Sequence, residues 1–298
     1  MTATIQTHEL TRHYRKLRAL DHLNLEVPEG AVYALVGPNG AGKTTSIKIL
    51  MNLIGATSGR ASVLGMDSKL IRGKAYTQIG YVSENQEFPE WMKVGALLAY
   101  VRKFYPTWDR DLERALVKQF ELFPDRKIKT LSRGMKMKLA LASALAFHPK
   151  LIILDEPFGG LDPLVRDQLI EGLLELAGEA TVFLSSHDLA EIESFASHIG
   201  YLEEGRLRFS EEMTSLCMRF REVELTFHSD RSVPASVPAS WRQVKAAGAT
   251  VRFVESQFDE ARTTAEVLRV FGDTKETVFR PMGLRGIFLA LARKEGEA

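Results

Sequence analysis

An α/β fold with a mainly parallel sheet is predicted by two features of the sequence: apolar runs that are continuous rather than alternating, and helical stretches between them. The chain has 298 residues, 45% of them hydrophobic and 26% charged, which is enough for one large domain or two. Because the texture of the sequence changes after Phe209, we expect two domains, 1–210 and 211–298, with a helical or loose linker near 210 to 220.

The elements of the larger domain follow from these patterns in chain order. Near-continuous aliphatic or β-branched runs predict strands buried on both faces at Ala31–Val36, Leu151–Leu154 and Thr181–Ser185. Helices are predicted at Thr44–Leu53, Asp109–Phe123, Ser132–Phe147 and Leu164–Ala177. The stretch "IGYLEEGRLRF" predicts a hairpin with Glu204 and Gly205 at its turn.

The smaller domain is predicted to be a compact α/β unit. Its strands are expected at Val223–Phe227, Trp241–Ala247, Thr250–Val254 and Glu276–Arg280, and its helices at Glu260–Phe271 and Gly283–Arg293. Residues 211–298 contain thirteen Lys/Arg and thirteen Asp/Glu, so this domain has no basic footprint for nucleic acid.

Composition narrows the class of protein further. A formal net charge of +1 argues against a nucleic-acid partner, and the single cysteine, Cys217, cannot form an intrachain disulfide. No apolar run approaches the roughly 18 residues of a membrane span, and the first residues lack the apolar centre of a signal peptide. We therefore expect a cytosolic protein in a reducing compartment.

The strongest chemical signal is "GPNGAGKTT", which follows a predicted strand and precedes a predicted helix. The glycines allow a backbone curl whose N–H groups converge on phosphate oxygens at the helix N-terminus. Lys43 would reach the terminal phosphates and Thr44 would offer a hydroxyl to Mg²⁺; the plain alternative is a glycine-rich turn. The predicted nucleotide-binding residues here are Gly37, Pro38, Asn39, Gly40, Ala41, Gly42, Lys43, Thr44 and Thr45.

Two carboxylates indicate which reaction follows nucleotide binding. "LIILDEP" places Asp155 and Glu156 where an apolar strand ends, at the edge of the sheet where open α/β folds bind ligands. Asp155 can hold Mg²⁺, and Glu156 is placed to orient the water that attacks the γ-phosphate. Since kinases must exclude that water, the pair indicates hydrolysis; the alternative is an acidic helix start.

A histidine follows the next predicted strand. In "TVFLSSHDLAEIE", His187 comes after two serines and before an acidic helix. A lone histidine here is commonly a helix-cap neighbour or a core residue. Its place at a second strand end also allows it to donate a hydrogen bond to the γ-phosphate.

With these motifs, and with "LSRGM" and "GGLD" (Gly159–Asp162), the chain from about Ile5 to Phe209 resembles the ATP-binding subunit of ABC transporters. The resemblance implies a P-loop ATPase domain with an antiparallel β subdomain and a helical subdomain. It also implies that two subunits pair head to tail, so that the signature residues Ser132, Arg133 and Gly134 contact the ATP of the other subunit. Asp162 would belong to the D-loop. The plain alternative is that Ser132 is the N-cap of an amphipathic helix. Capping and phosphate binding both use the free backbone N–H groups of the helix start.

Further site residues follow from the same resemblance. Tyr14 stands where the family places an aromatic ring against adenine. Glu84 occupies the position of the usual glutamine that senses the γ-phosphate and Mg²⁺. In the signature, Arg133 replaces glycine and Met135 replaces glutamine, and these departures bear on the hydrolysis rate.

The departures and the C-terminal extension resemble the branch that serves ABC-2 exporters. The segment Phe88–Trp108 is rich in aromatic residues and is expected to be helical. In the family, the corresponding region binds the membrane subunit. Phe88 and Trp91 are the contacts expected here. The resemblance implies ATP and Mg²⁺ as cofactors, a permease partner, a homodimer or heterodimer of ATPase subunits, and a place on the inner face of the membrane. The alternatives are a soluble ABC-type ATPase acting on DNA or ribosomes, and a phosphotransferase.

Overall fold

The computed structural model describes residues 2–15, 17–176, 178 and 180–292. The chain divides into two compact units, Met1–Ser210 and Glu211–Ala298. Within the described residues, no helix combines the length and the hydropathy needed to cross a bilayer.

The first unit begins with a β-rich segment and continues with alternating strands and helices. Its strands are β1 (Ala3–Tyr14), β2 (Leu17–Pro28), β3 (Val32–Val36), β4 (Ser58–Val63), β5 (Met66–Asp67), β6 (Ile79–Val82), β7 (Leu151–Asp155), β8 (Thr181–Ser186), β9 (His198–Glu203) and β10 (Arg206–Glu212). Its α-helices are α1 (Lys43–Leu50), α2 (Val94–Val101), α3 (Arg110–Gln119), α4 (Arg133–Leu145), α5 (Pro163–Leu176) and α6 (Leu189–Ile192). Short 3₁₀ turns lie at Ser68–Leu70, Gly73–Gln78, Arg102–Phe104 and Ile128–Thr130.

A six-stranded sheet in the order β10-β9-β3-β8-β7-β6 forms the centre of this unit. Strands β3, β6, β7, β8 and β9 pair in parallel. The register pairs Val36 with Ser186 and Asp155 with Ser185. Because parallel strands end at the same edge, the segments that follow β3, β7 and β8 meet there, which confirms the predicted α/β fold with a mainly parallel sheet.

A second, antiparallel sheet has the order β2-β1-β4-β5. The sequence patterns did not predict its two twelve-residue strands, β1 and β2, whose pairing contains several register shifts. Each shift exchanges the inward and outward positions, so the apolar residues do not alternate cleanly. Ile5, Leu23, Leu35, Ile47 and Phe183 are buried in one core between the two sheets and α1.

The predicted hairpin after β8 is confirmed. Glu204 and Gly205 connect β9 to β10 with φ angles of 50° and 78°. Two successive positive φ values are what a two-residue hairpin turn requires.

The predicted helix over Phe88–Trp108 is wrong for most of its length, since only Val94–Val101 forms an α-helix. The segment before it is held by long-range backbone pairing instead: Ile128 N donates to Met92 O at 2.9 Å, and Lys93 pairs with Lys127. The other predicted helices and strands are present with ends shifted by a few residues. The predicted ends at Ala177 and Arg293 lie outside the described residues.

The second unit contains a four-stranded antiparallel sheet in the order β12-β13-β11-β14. Its elements are α7 (Met213–Arg219), β11 (Arg221–Thr226), β12 (Trp241–Ala247), β13 (Thr250–Glu255), α8 (Glu260–Phe271), β14 (Glu276–Pro281) and α9 (Leu284–Ala292). Trp241 stacks on Phe253 with 4.0 Å between ring centroids, in a core that also buries Val223, Val251 and Val267. This unit therefore has a hydrophobic core of its own.

Candidate functional site

The glycine-rich loop connects β3 to α1, as its sequence context predicts. Gly40 and Gly42 have φ angles of 83° and 108°, which other residues rarely adopt. Gly37 is required for a different reason, because a Cβ at this position would lie 2.1 Å from the carbonyl oxygen of Leu202. The loop is therefore shaped by its glycines and by the strand packed beneath it.

Lys43, the first residue of α1, is buried and ion-paired. Its Nζ lies 3.1 Å from Glu156 Oε1 and donates to the carbonyl oxygens of Gly37 at 2.7 Å and Pro38 at 3.3 Å. Only 5% of the Lys43 surface is exposed. The lysine is thus held across the mouth of the loop, with its charge facing a carboxylate from the end of β7.

Asp155 is the last residue of β7, and one of its carboxylate oxygens accepts hydrogen bonds from two hydroxyl groups. Thr44 Oγ1 donates to Asp155 Oδ1 at 3.0 Å, and Ser185 Oγ donates to the same oxygen at 2.7 Å. Ser185 Oγ also accepts the backbone N–H of Glu156 at 3.0 Å. The sequence reasoning did not single out Ser185; its place at the end of β8, beside β7 in the sheet, is the signal that identifies it.

Glu156 connects the loop to the histidine. Its Oε2 lies 2.8 Å from His187 Nδ1, while its Oε1 faces Lys43. The backbone of Glu156 has φ 49°, a left-handed conformation that is uncommon for a non-glycine residue and is found at functional sites. His187 is half exposed, with 48% of its side chain accessible. The structure therefore brings together all three predicted strand-end residues and Lys43.

Two neighbouring groups have pKa values shifted by this environment. Glu191 is buried and accepts a 2.8 Å hydrogen bond from Ser186 Oγ, and burial raises its pKa. Burial, followed by the charge of Asp155, raises the pKa of Tyr81. Both shifts indicate that the interior behind the strand ends disfavours additional negative charge.

A cavity of about 550 Å³ opens over the phosphate loop. Tyr14, Leu17 and Ala19 line it together with the loop and α1, and the Arg12 guanidinium lies 4.6 Å from the centroid of the Tyr14 ring. Its complete lining comprises Tyr14, Leu17, Ala19, Asn39, Gly40, Ala41, Gly42, Lys43, Thr44, Thr45, Glu84, Arg133, Glu156, Gly159, Gly160 and His187.

The signature residues divide between this cavity and the start of α4. Ser132 is the N-cap of α4, and its Oγ accepts the backbone N–H of Met135 at 3.2 Å. Gly134 is buried, and a Cβ there would lie 2.8 Å from Val165 Cγ1. Arg133 lines the cavity of its own chain, whereas Ser132 and Gly134 are not among the residues that line it.

The other predicted residues do not line the cavity: Gly37, Pro38, Asp155, Asp162, Phe88 and Trp91. Asp162 Oδ1 accepts the backbone N–H of Leu164 at 2.9 Å, at the start of α5. Trp91 is 77% exposed, and Phe88 is half-buried. No group of three or more His, Cys, Asp or Glu residues suited to a metal ion is found in the described part of the chain. Any metal here would need ligands from the nucleotide as well.

The chain is similar to transporter ATPases. The family described as "ABC transporter" matches residues 20–159. The bacitracin transport ATP-binding protein BcrA of Bacillus licheniformis is 35% identical over 211 residues, which cover 70% of this chain and 69% of that protein.

Solved structures show the same likeness. An ATP-binding subunit of an ABC transporter matches with a TM-score of 0.66 and 28% identity, covering 73% of this chain and 92% of that one. A dimeric bacterial ABC transporter cassette matches with a TM-score of 0.62 and 25% identity, covering 70% of this chain and 98% of that one.

Proposed function

Because this chain belongs to the family of ABC transporter ATP-binding proteins, we propose that its cavity holds ATP with Mg²⁺ and that Glu156 and His187 act on the γ-phosphate. The protein is an ATP-binding subunit of an ABC transporter and hydrolyses ATP to drive transport.

Oxygen atoms from the start of α1 and the end of β7 fit Mg²⁺. Thr44 supplies a hydroxyl oxygen and Asp155 a carboxylate, 3.0 Å apart, and Mg²⁺ binds hard oxygen ligands together with substrate phosphates. Glu84 lines the same cavity and has no ion pair within the described residues. We assign Thr44 and Asp155 to the metal and Glu84 to a contact made when Mg²⁺ and ATP are both present. Mg²⁺ would offset charge on the phosphates.

The Lys43–Glu156 ion pair is the main observation that supports a role for Glu156 in hydrolysis. The 3.1 Å contact joins the Glu156 carboxylate to the Lys43 ammonium group. A triphosphate in the loop competes for the Lys43 ammonium group and releases Glu156 Oε1, which can then accept a hydrogen bond from the attacking water. His187, held by Glu156 through Nδ1, keeps Nε2 for the γ-phosphate. Hydrolysis is thereby coupled to occupation of the loop.

Dimerisation completes the site in this proposal. The Ser132 hydroxyl accepts the Met135 N–H but has no acceptor for its own proton in the described structure. The start of α4 also offers free backbone N–H groups and the positive end of the helix. We assign Ser132 and Gly134 to the ATP of a second subunit, with Asp162 near the same interface. That subunit is either a second copy or a related ATPase.

A membrane permease is the proposed partner for the exposed aromatic residues. Trp91, 77% exposed, and Phe88 follow the Glu84 loop closely in the chain. A movement of the Glu84 loop when nucleotide binds or leaves would therefore also displace Phe88 and Trp91. The proposal places the protein on the inner face of the cell membrane through that permease.

Purification from native membranes in mild detergent tests this assignment. We expect a multi-span membrane protein to copurify with the chain, and to be lost on substitution of Trp91 by Glu while ATP binding is retained. The matched control is Phe123→Glu, a change at another exposed aromatic residue. Copurification of ribosomes or DNA in place of a membrane protein would contradict the proposal.

A further inference from the structure

The sheet of the second unit has two edge strands. Its order, β12-β13-β11-β14, makes these edges β12 and β14. An edge strand presents unpaired backbone N–H and C=O groups, which pair readily with another chain unless the edge is bulged, charged or covered. The two edges of this sheet differ in that respect.

The β12 edge is protected in three ways. Its register with β13 shifts between Arg242 and Lys245, where Gln243 has a φ of 55°. The side chain of Gln243 donates from Nε2 to the carbonyl oxygen of Leu289 in α9, at 2.8 Å. Lys245 is exposed. This edge is therefore bulged, tied to a helix and charged, and all three features disfavour pairing with another chain.

The β14 edge is continuous. Its six residues pair one to one with β11, without a register shift. Glu276 and Arg280 are exposed, and Val278 between them is half-buried. Since residues two apart in a strand point to the same side of the sheet, these three side chains share one face.

The charges on this face lie at opposite ends of β14. Glu276 makes no ion pair within the residues that the structure describes. Arg280 NH1 lies 2.9 Å from Glu224 Oε2, and half of the Arg280 side chain remains exposed. Glu224 Oε2 also accepts a 2.7 Å hydrogen bond from Arg252 Nε. The strand thus offers an unpaired carboxylate at one end and a half-exposed guanidinium at the other, with Val278 midway.

We propose that β14 pairs antiparallel with β14 of a second copy of this chain, with Val278 at the two-fold centre. A two-fold axis perpendicular to a sheet keeps each side chain on its own face, so the centre of the pair falls on a residue. With Val278 at the centre, Glu276 of each copy lies opposite Arg280 of the other. Opposite charges at directly opposed positions stabilise an antiparallel pair.

The neighbouring registers lack this match. A centre one residue earlier would place Glu276 opposite Val278, and a centre one residue later would place Arg280 opposite Val278. Charge complementarity therefore selects both the occupant of the edge and its register.

This contact is separate from the head-to-tail pairing assigned to Ser132, since it uses residues of the second unit and no nucleotide. A strand of six residues is about 20 Å long. The area buried by such a pair is at the low end for specific interfaces, so we expect a weak dimer with a micromolar dissociation constant.

Sedimentation of the nucleotide-free full chain over a range of concentrations tests the contact. The wild type should form dimers, and Val278→Lys should weaken dimerisation about ten-fold or more, because two like charges then meet at the centre. The matched control is Ala247→Lys, which adds the same charge at an exposed position of the opposite edge strand, β12. It should dimerise as the wild type does.

Mixing two charge-reversal variants tests the register. Glu276→Arg and Arg280→Glu should each be largely monomeric alone, because each places like charges opposite one another. In an equimolar mixture, every position 276 faces an opposite charge at position 280 of its partner, so differently tagged chains should form mixed dimers. A purely structural effect of either change would not be rescued by mixing. If Arg280→Glu fails to fold without its Glu224 contact, the comparison of Val278→Lys with Ala247→Lys still decides.

Four results would overturn the inference. The first is a nucleotide-free wild type that stays monomeric, and the second is equal dimerisation of Val278→Lys and Ala247→Lys. The third is a mixture of folded charge-reversal variants that forms no mixed dimers. The fourth is a loss of the copurifying membrane protein from Val278→Lys, which would assign the edge to the permease. Dimers that form only with ATP would belong to the head-to-tail contact and leave the proposed function intact.

Discussion

Glu156 shows how a single residue can organise the site. Its left-handed backbone, φ 49°, has a cost on the order of 1–3 kcal/mol. The conformation is held by a backbone hydrogen bond to Ser185 and by side-chain contacts to Lys43 and His187. The sequence indicated the chemical types of these residues and their strand ends. The left-handed turn depends on tertiary contacts and was not predicted.

Asp21 lies outside the nucleotide cavity, and its carboxylate contacts three side-chain nitrogen atoms. Its carboxylate lies 2.6 Å from Arg206 Nε, 2.7 Å from His22 Nδ1 and 2.8 Å from Arg18 NH1. The hydrogen bond from Arg206 is the largest of the effects that lower the pKa of Asp21 to about 2. The folded state therefore favours the charged carboxylate more than the unfolded state does.

Substitution of Asp21 by Asn should lower the free energy of unfolding at neutral pH. Since the folded pKa is below the unfolded value of about 3.9, the contribution is present above about pH 4 and is lost as pH falls toward 2. Urea unfolding of both proteins across this range measures it. A stability difference that stays constant between neutral and acidic pH would show that packing, rather than charge, is responsible.

Among the elements, α4 is the helix whose start we assign to the ATP of a second subunit. Ser132→Arg should prevent ATP-driven dimerisation, because the larger side chain occupies the helix start, while ATP still binds through Lys43 and Thr44. Mixing this variant with Lys43→Ala should restore part of the hydrolysis, since each mixed dimer contains one intact composite site. Subunit mixing must be demonstrated with tagged chains.

Absence of any recovery in verified mixed dimers would contradict a head-to-tail site. A matched mixture of Lys43→Ala with Ser143→Arg, changed on the same helix far from its start, tests whether the position on α4 matters.

The elements differ in how well the sequence predicts them. Strands β7 and β8 are buried on both faces, so continuous apolar runs identify them. Strands β1 and β2 were not predicted, because register shifts interrupt the alternation of apolar and polar residues along them. The segment before α2 was expected to be helical, but backbone pairing of Met92 and Lys93 with a distant segment holds it in another conformation. Long-range pairing of this kind leaves no local signal.

At the scale of the whole molecule, the nucleotide residues all lie in the first compact unit. The second unit has its own core, in which Trp241 and Phe253 stack. A chain ending at Glu212, the last residue of β10, should bind Mg²⁺-ATP within about two-fold of the full chain, because no cavity residue is removed. Isothermal titration measures this. Loss of binding by a truncated chain that keeps its circular dichroism would show that the second unit contributes to the site.

Steady-state ATP hydrolysis by Glu156→Gln shows whether Glu156 orients the attacking water in this transporter subunit. The amide keeps the size of the side chain but removes its charge, so turnover should fall by about 100-fold or more. ATP affinity should be retained, and the variant should accumulate as an ATP-bound dimer. Undiminished turnover at saturating ATP would show that Glu156 does not orient the attacking water.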